Sequence, residues 1–218
     1  MKITLHMLVT LIVVGMLSGG ALSLVNDHAE PLIAENQRKE RDAAIAFLVP
    51  GGVPTEMVNA EGLAAWEVRD ASTSLGWVIQ YSGLGFQAEI KAMIALDPDR
   101  NDVRGLMVIA DSETPGLGTW IRLSSDHKEA LLASADRDLG DEVNIAQNYP
   151  LQFFGFGGGQ HLSAAGDLKV VKGKSRSQLG PGEVQAITAA TISSVAVTDI
   201  VNAAVLKLDE LLAGQGGV

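Results

Sequence analysis

The segment Val184–Ser194, VQAITAATISS, gathers four hydroxyl side chains, Thr188, Thr191, Ser193 and Ser194, within seven positions. Apolar residues then recur at Val197, Ile200, Val201, Ala204, Leu208 and Leu211, the spacing of a helix face laid on a core. The hydroxyls therefore fall at a helix start. There the first backbone N–H groups lack intrahelical acceptors and the dipole end is positive, so the position receives a phosphate or another anion. The plainer reading of the same residues is that one hydroxyl caps the helix. The segment alone does not separate the two.

Three glycine-bearing loops are the other places where chemistry could gather. Tyr81–Gln87, YSGLGFQ, lies between strands, where glycine lets a flat ligand or another backbone come close, as it also does in a plain tight turn. Asp111–Trp120, DSETPGLGTW, joins the turn former Pro115-Gly116 to the polar Glu113 and Thr114 at a strand's end. Phe153–His161, FFGFGGGQH, is neither a Walker loop nor a dinucleotide fingerprint and reads as a flexible edge loop. His6, His28, His127 and His161 are scattered without metal-ligand spacing, so no metal is expected. No Gly-x-Ser-x-Gly elbow surrounds Ser193 or Ser194, and no acid–base constellation marks a catalytic residue.

These loops need elements to hold them. Trp66–Asp70 and Gly76–Tyr81 are rich in aromatic and β-branched residues and read as strands joined by a turn. Ala88–Leu96 and Val103–Ala110 read as a hairpin around the Asp/Pro/Asn-rich stretch Asp97–Asp102. The charge-rich Asn26–Phe47 reads as a helix, broken by VPGGVP at Val49–Pro54. Residues 27–218 are thus expected to form one α+β domain.

Composition sets the class. The chain is 47% hydrophobic and 19% charged, a folding composition, and its formal charge of −10 argues against nucleic-acid binding. The absence of Cys excludes disulfides, thiolate nucleophiles and Cys-ligated clusters. From Ile3 to Val25 run 23 residues without a charge, enough for a helix to cross a bilayer. Ala21-Leu22-Ser23 offers a small-x-small cleavage site, but only Lys2 precedes the run and the run exceeds a signal's apolar region, so a retained anchor over residues 1–26 is the expectation. Lys2 and the terminal amine sit at the start, while the next cation is Arg38. The positive-inside tendency therefore leaves the N-terminus in the cytoplasm and the rest, with a charge of −11, on the far side of a single-pass inner membrane protein.

Ser112–Gly118, SETPGLG, and Ala186–Ser194, AITAATISS, behind one N-terminal anchor, resemble the FMN-binding G subunit of the Rnf ion-translocating electron-transport complex. The corresponding flavin subunit of the Na⁺-translocating NADH:quinone reductase is similar. The resemblance covers nearly the whole chain. It implies FMN held covalently by its phosphate on Thr191, the last residue of the Ser/Thr-Gly-Ala-Thr-like Thr188-Ala189-Ala190-Thr191. It further implies a separate flavin transferase, phosphate contacts from the helix start at Ala190, Ile192, Ser193 and Ser194, and Glu113, Thr114, Gly116, Leu117 and Gly118 beside the isoalloxazine ring, with Gly85 and Phe86 next to them. The partners implied are the other membrane and redox subunits of a ferredoxin:NAD⁺ oxidoreductase.

Two positions depart from the family pattern, which commonly has Asp three residues before the Ser/Thr and Gly directly after it. Here these are Gln185 and Ala189. Ala restricts backbone angles that Gly allows, and the lost carboxylate bears on recognition by the transferase. The leading expectation is an electron-carrying subunit with covalent FMN and no complete active site of its own. The rivals are an FMN subunit of another membrane reductase and a non-flavin extracytoplasmic binding domain whose hydroxyls merely cap a helix.

Overall fold

The computed structural model describes residues 2–134, 148–154, 162–163, 168–180 and 182–215. Two compact units divide the chain, Met1–Ala43 and Ala44–Val218. Helix α1, Lys2–Leu48, runs without a break through residues 26 and 27, where anchor and domain were expected to part. Within the first unit its apolar side chains face outward, with Leu5, Leu11, Leu17 and Leu24 each more than half exposed. By length and composition this helix is long and apolar enough to cross a membrane. Its later, charged turns carry an i,i+4 pair, Lys39 with Glu35 at 2.7 Å.

The second unit is built on a six-stranded antiparallel sheet in sequence order: β1 Val53–Ala60, β2 Leu63–Asp70, β3 Thr73–Leu84, β4 Glu89–Leu96, β5 Asp102–Ala110 and the two-residue β6 Leu162–Ser163. The expected strands are present, several of them longer than their sequence signal. The β4–β5 hairpin closes as the turn chemistry requires: the Asp97 carboxylate accepts the N–H groups of Asn101 (2.7 Å) and Asp102 (2.9 Å). β1 was not foreseen. Only Val58 in it is buried, so it carries no alternation, and Pro54 suits it to the sheet edge. Most of the FFGFGGGQH loop, residues 155–161, lies outside the described residues.

Both faces of the sheet are covered. On one face Leu63, Ala65, Ile79, Ile94 and Leu106 pack with Val197, Ile200, Val201, Ala204 and Leu208 of helix α3, Thr191–Gln215. These are the helix positions that the sequence spacing selected. α3 also has the length and hydropathy of a membrane span, but half of its apolar window is buried in this core. On the other face Trp66, Val68, Val78, Met93 and Met107 pack with Ala44, Ile45 and Leu48 of α1 and with Leu131 of helix α2, Ser125–Ala133. Contact between α3 and β3 is close enough to demand glycine: a Cβ at Gly83 would stand 2.5 Å from Cγ1 of Ile200. A small parallel pair, β7 Lys169–Val171 and β8 Glu183–Gln185, then delivers the chain to the start of α3. The fold is α+β, as its sequence reads.

Candidate functional site

The start of α3 follows a turn whose hydrogen bond runs from Ala190 N–H to the Ile187 carbonyl, 3.2 Å. Ala189 occupies its third position with φ +65°, a left-handed conformation that Gly adopts freely and Ala does not. This is the position at which the resemblance expected Gly. Ala190 precedes the first helical residue and has no side-chain acceptor, so the hydroxyl cap considered from sequence is not formed. Among the described residues nothing accepts the N–H groups of Thr191, Ile192 and Ser193, and three donors converge at the positive end of a 25-residue helix.

The four hydroxyls divide by burial. The Ser194 hydroxyl, fully buried, accepts from Ile187 N–H (2.9 Å) and donates to the Ala190 carbonyl (3.1 Å), fixing the turn. The Ser193 hydroxyl, 3% exposed, donates to Glu113 Oε2 at 2.6 Å. Neither is available to a phosphate, which corrects the sequence expectation for both: each turns inward to hold backbone or carboxylate. Thr188 is exposed and is not among the residues lining the cleft at the start of α3. Thr191, half-buried, makes no side-chain hydrogen bond among the described residues and lines a cleft of about 320 Å³.

That cleft brings together most of the expected residues. Thr114, Leu117, Gly118, Ala190, Thr191, Ile192 and Ser193 line it, along with Phe86 and Ala189. Its charged-residue content is nil, and Phe86, Leu117 and Ile192 present apolar surface at 58%, 43% and 60% exposure. The Thr114–Leu117 turn shapes one wall: Leu117 N–H reaches the Thr114 carbonyl at 3.2 Å, and Gly116 sits at φ +74°, the geometry Pro-Gly favours. Trp120 Nε1 donates to the Gly116 carbonyl at 2.7 Å, and Gln87 Nε2 donates to Thr114 Oγ1 at 2.9 Å. Gly116 therefore shapes the wall from behind without lining the cleft.

Glu113 and Gly85 are placed differently from the expectation that they adjoin a ring. Glu113 is 4% exposed and accepts Phe86 N–H on Oε1 at 2.8 Å, with Gln87 N–H at 3.4 Å, while Oε2 takes Ser193. Gly85 backs onto the same carboxylate, since a Cβ there would run into Oε1 and into Ile90. Both residues brace the cleft from behind. Asp111, which accepts Glu113 N–H at 3.1 Å, is in turn paired with Arg122.

A second tier of residues holds the turn; of these the sequence marked only Gln185, and only as a departure from the family pattern. Gln185 is buried; its Oε1 accepts Lys174 N–H (2.9 Å) and its Nε2 donates to the Ala186 carbonyl (3.0 Å). Its side chain thus tightens the loop and offers nothing to an approaching partner. Gln152 brackets the same backbone, with Oε1 accepting Gln185 N–H at 2.6 Å and Nε2 donating to the Gln185 carbonyl at 3.0 Å. The fully buried Tyr149 hydroxyl lies 3.0 Å from the Ser194 carbonyl and 2.5 Å from the Thr198 hydroxyl, and burial pushes its ionisation well above the usual phenol range. A second cavity of about 330 Å³, lined by residues including Leu48, Leu75, Asp97 and Arg104, includes none of the expected site residues.

An α+β domain in which uncommitted helix-start N–H groups and a free hydroxyl meet an apolar-rimmed cleft is suited to a ligand that is anionic at one end and flat and apolar at the other. The FMN-binding domain family matches residues 85–206, more than half of the chain and both walls of the cleft. The chain belongs to that family. It is 26% identical over 200 residues to the G subunit of the proton-translocating ferredoxin:NAD(+) oxidoreductase complex of Clostridium ljungdahlii, across 91% of this chain and 88% of that one. Among solved structures it is similar to NqrC of Shewanella oneidensis, with TM-score 0.46 and 18% identity. That match spans 68% of this chain and 62%, less than two thirds, of the NqrC chain.

Proposed function

We propose that this chain is the FMN-carrying electron-transfer subunit of a membrane-bound, ion-translocating oxidoreductase complex of the ferredoxin:NAD⁺ type. The observation that carries the reading is the state of Thr191: alone among the four clustered hydroxyls it both lines the cleft and is uncommitted among the described residues, directly beside three helix-start N–H groups that have no acceptor among those residues. The residues fit the group. Thr191, Ile192 and Ser193 N–H would hold the phosphate, Thr191 Oγ1 would carry it as an ester, and the apolar rim of Phe86, Leu117 and Ile192 would shield the ring. When bound, FMN supplies the electron-transfer chemistry, and the protein contributes position and environment.

Ester formation joins Thr191 Oγ1 to the phosphorus with net loss of one water, a step assigned to a separate flavin transferase. The subunit has no complete active site and works with the redox and membrane subunits of the complex. Residues 1–26 anchor it as a single span in the cytoplasmic membrane, with the N-terminus inside and the domain of residues 27–218 on the extracytoplasmic side. The charge-free run and the position of Lys2 support this arrangement.

The test is the intact mass of the full-length chain purified in detergent after co-expression with a flavin transferase, beside Thr191→Ala. The expected result is a gain of one FMN less one water, absent from the variant. Flavin that is released on denaturation would refute the covalent link alone. A colourless protein, under conditions that load a known flavin-carrying chain, would refute the flavin reading.

A further inference from the structure

The buried carboxylate of Glu113 is satisfied without a counter-charge. Its hydrogen bonds come from Phe86 N–H, Gln87 N–H and the Ser193 hydroxyl, all neutral donors, and among the described residues no Lys, Arg or His pairs with it. The nearby guanidinium of Arg122 is taken by Asp111. Every one of these contacts uses the carboxylate as an acceptor, the pattern of an ionised group.

Its location ties that charge to the cleft. Gly118 and Ser193 line the cleft, and both lie against Glu113: a Cβ at Gly118 would stand 2.9 Å from Oε2, and the Ser193 hydroxyl is 2.6 Å from the same oxygen. The absence of side chains at Gly85 and Gly118 is what brings the carboxylate so near the wall. With no cation in the lining to offset it, the negative charge acts across one layer of atoms in a partly dry setting, where electrostatic effects are strong.

We infer that Glu113 is a positioning residue that also sets the redox poise of the site: it fixes Ser193 and the loop at 85–87, and its charge biases a bound flavin against reduction. The inference rests on the flavin reading above. Uptake of two electrons and one proton leaves a flavin one unit more negative, which a neighbouring fixed negative charge opposes. The Ser193 hydroxyl, donating to the carboxylate, draws off part of that charge, so the two residues have opposite effects on the poise.

The test uses the full-length chain, loaded by co-expression with a flavin transferase and checked by intact mass, then titrated with dithionite and mediator dyes while flavin absorbance is followed. Glu113→Gln is expected to raise the reduced-to-oxidised ratio at a given potential by about tenfold. Ser193→Ala, which keeps the carboxylate but removes its donor, is expected to lower the ratio, and Glu113→Asp to stay with the parent. Shifts of the same sign in Glu113→Gln and Ser193→Ala, or none in either, overturn the inference, because mere loosening of the site does not produce opposite signs. Should Glu113→Gln fail to fold, Ser193→Ala and Glu113→Asp decide: an unmoved Ser193→Ala overturns it, and a lowered ratio with Glu113→Asp unchanged sustains it. A parent chain that takes up no flavin by mass overturns the flavin reading and this inference with it, a result distinct from a loaded protein whose poise does not move.

Discussion

Ala189 is held at φ +65° between the exposed Thr188 and Ala190, the residue before α3. A left-handed Ala costs roughly 1 kcal/mol relative to a residue without Cβ, and the cost is sustained because Ser194 ties both Ile187 N–H and the Ala190 carbonyl. Ala189→Gly should therefore stabilise the domain by about 0.5–1 kcal/mol, read as a raised urea midpoint with unchanged slope. A lowered midpoint would mean that the turn is not strained. The sequence marked this residue only as a departure from a pattern. That it bears a positive φ, and that Ser193 and Ser194 turn inward while Thr191 stays free, depends on which way each side chain faces, and no local spacing encodes that. The proposal of Thr191 over its neighbours rests at the sequence level on the resemblance alone, whereas the clustering of hydroxyls at a helix start was legible from the residues themselves.

At the scale of elements, the first turn of α3 is held in register by the five-residue 3₁₀ segment Tyr149–Phe153, through the Tyr149 hydroxyl and the paired bonds of Gln152 to Gln185. Tyr149→Phe removes one buried hydroxyl and leaves Thr198 still bonded to the Ser194 carbonyl, so the cost should be about 1 kcal/mol with flavin loading intact. Ser194→Ala is expected to be worse, about 1–3 kcal/mol, since it orphans a buried N–H of Ile187, and it should reduce loading because the turn carrying Thr191 is released. Thermal melting beside intact mass separates the two effects; equal loss of loading in both variants would contradict this division. The elements themselves were largely readable: α3 from its apolar period, and β2 to β5 from β-branched runs and turn residues. β1 was hidden because an edge strand with one buried residue has no period to detect, and the support from Tyr149 and Gln152 was hidden because those contacts span more than thirty positions of chain.

Across the whole second unit, β3 and α3 both lead away from the cleft and end in a separate charged cluster. Trp77 is six residues before Gly83 on β3, about 20 Å away, and Asp209 lies eighteen residues along α3 from Thr191, about 27 Å away. There Glu67 binds Arg69 at 2.8 Å, and Arg100 stacks over the Trp77 ring at 5.3 Å while reaching Asp209 at 3.8 Å. Burial alone would raise the ionisation of Glu67, but the hydrogen bond and charge of Arg69, with the charge of Arg100, outweigh it and hold the carboxyl below its usual range. Partly buried Glu183 is lowered as well, by Lys174 and the Gly180 N–H. A carboxyl whose folded value is depressed contributes stability above its unfolded value and loses that contribution as pH falls through the folded one. Both groups therefore predict a loss of stability on acidification below about pH 4.5. Glu67→Gln should lower stability by roughly 1 kcal/mol at pH 7, a figure kept small because Arg69 is half exposed, and its deficit should shrink towards pH 3 as the parent loses the same charge. Urea titrations of both proteins in detergent at the two pH values measure the gap; a gap that stays constant would show that the carboxylate is not what the mutation removed. Because the cluster is so far from Thr191, FMN loading should be the same in both proteins at pH 7, so the acid sensitivity that Glu67 contributes is independent of cofactor loading.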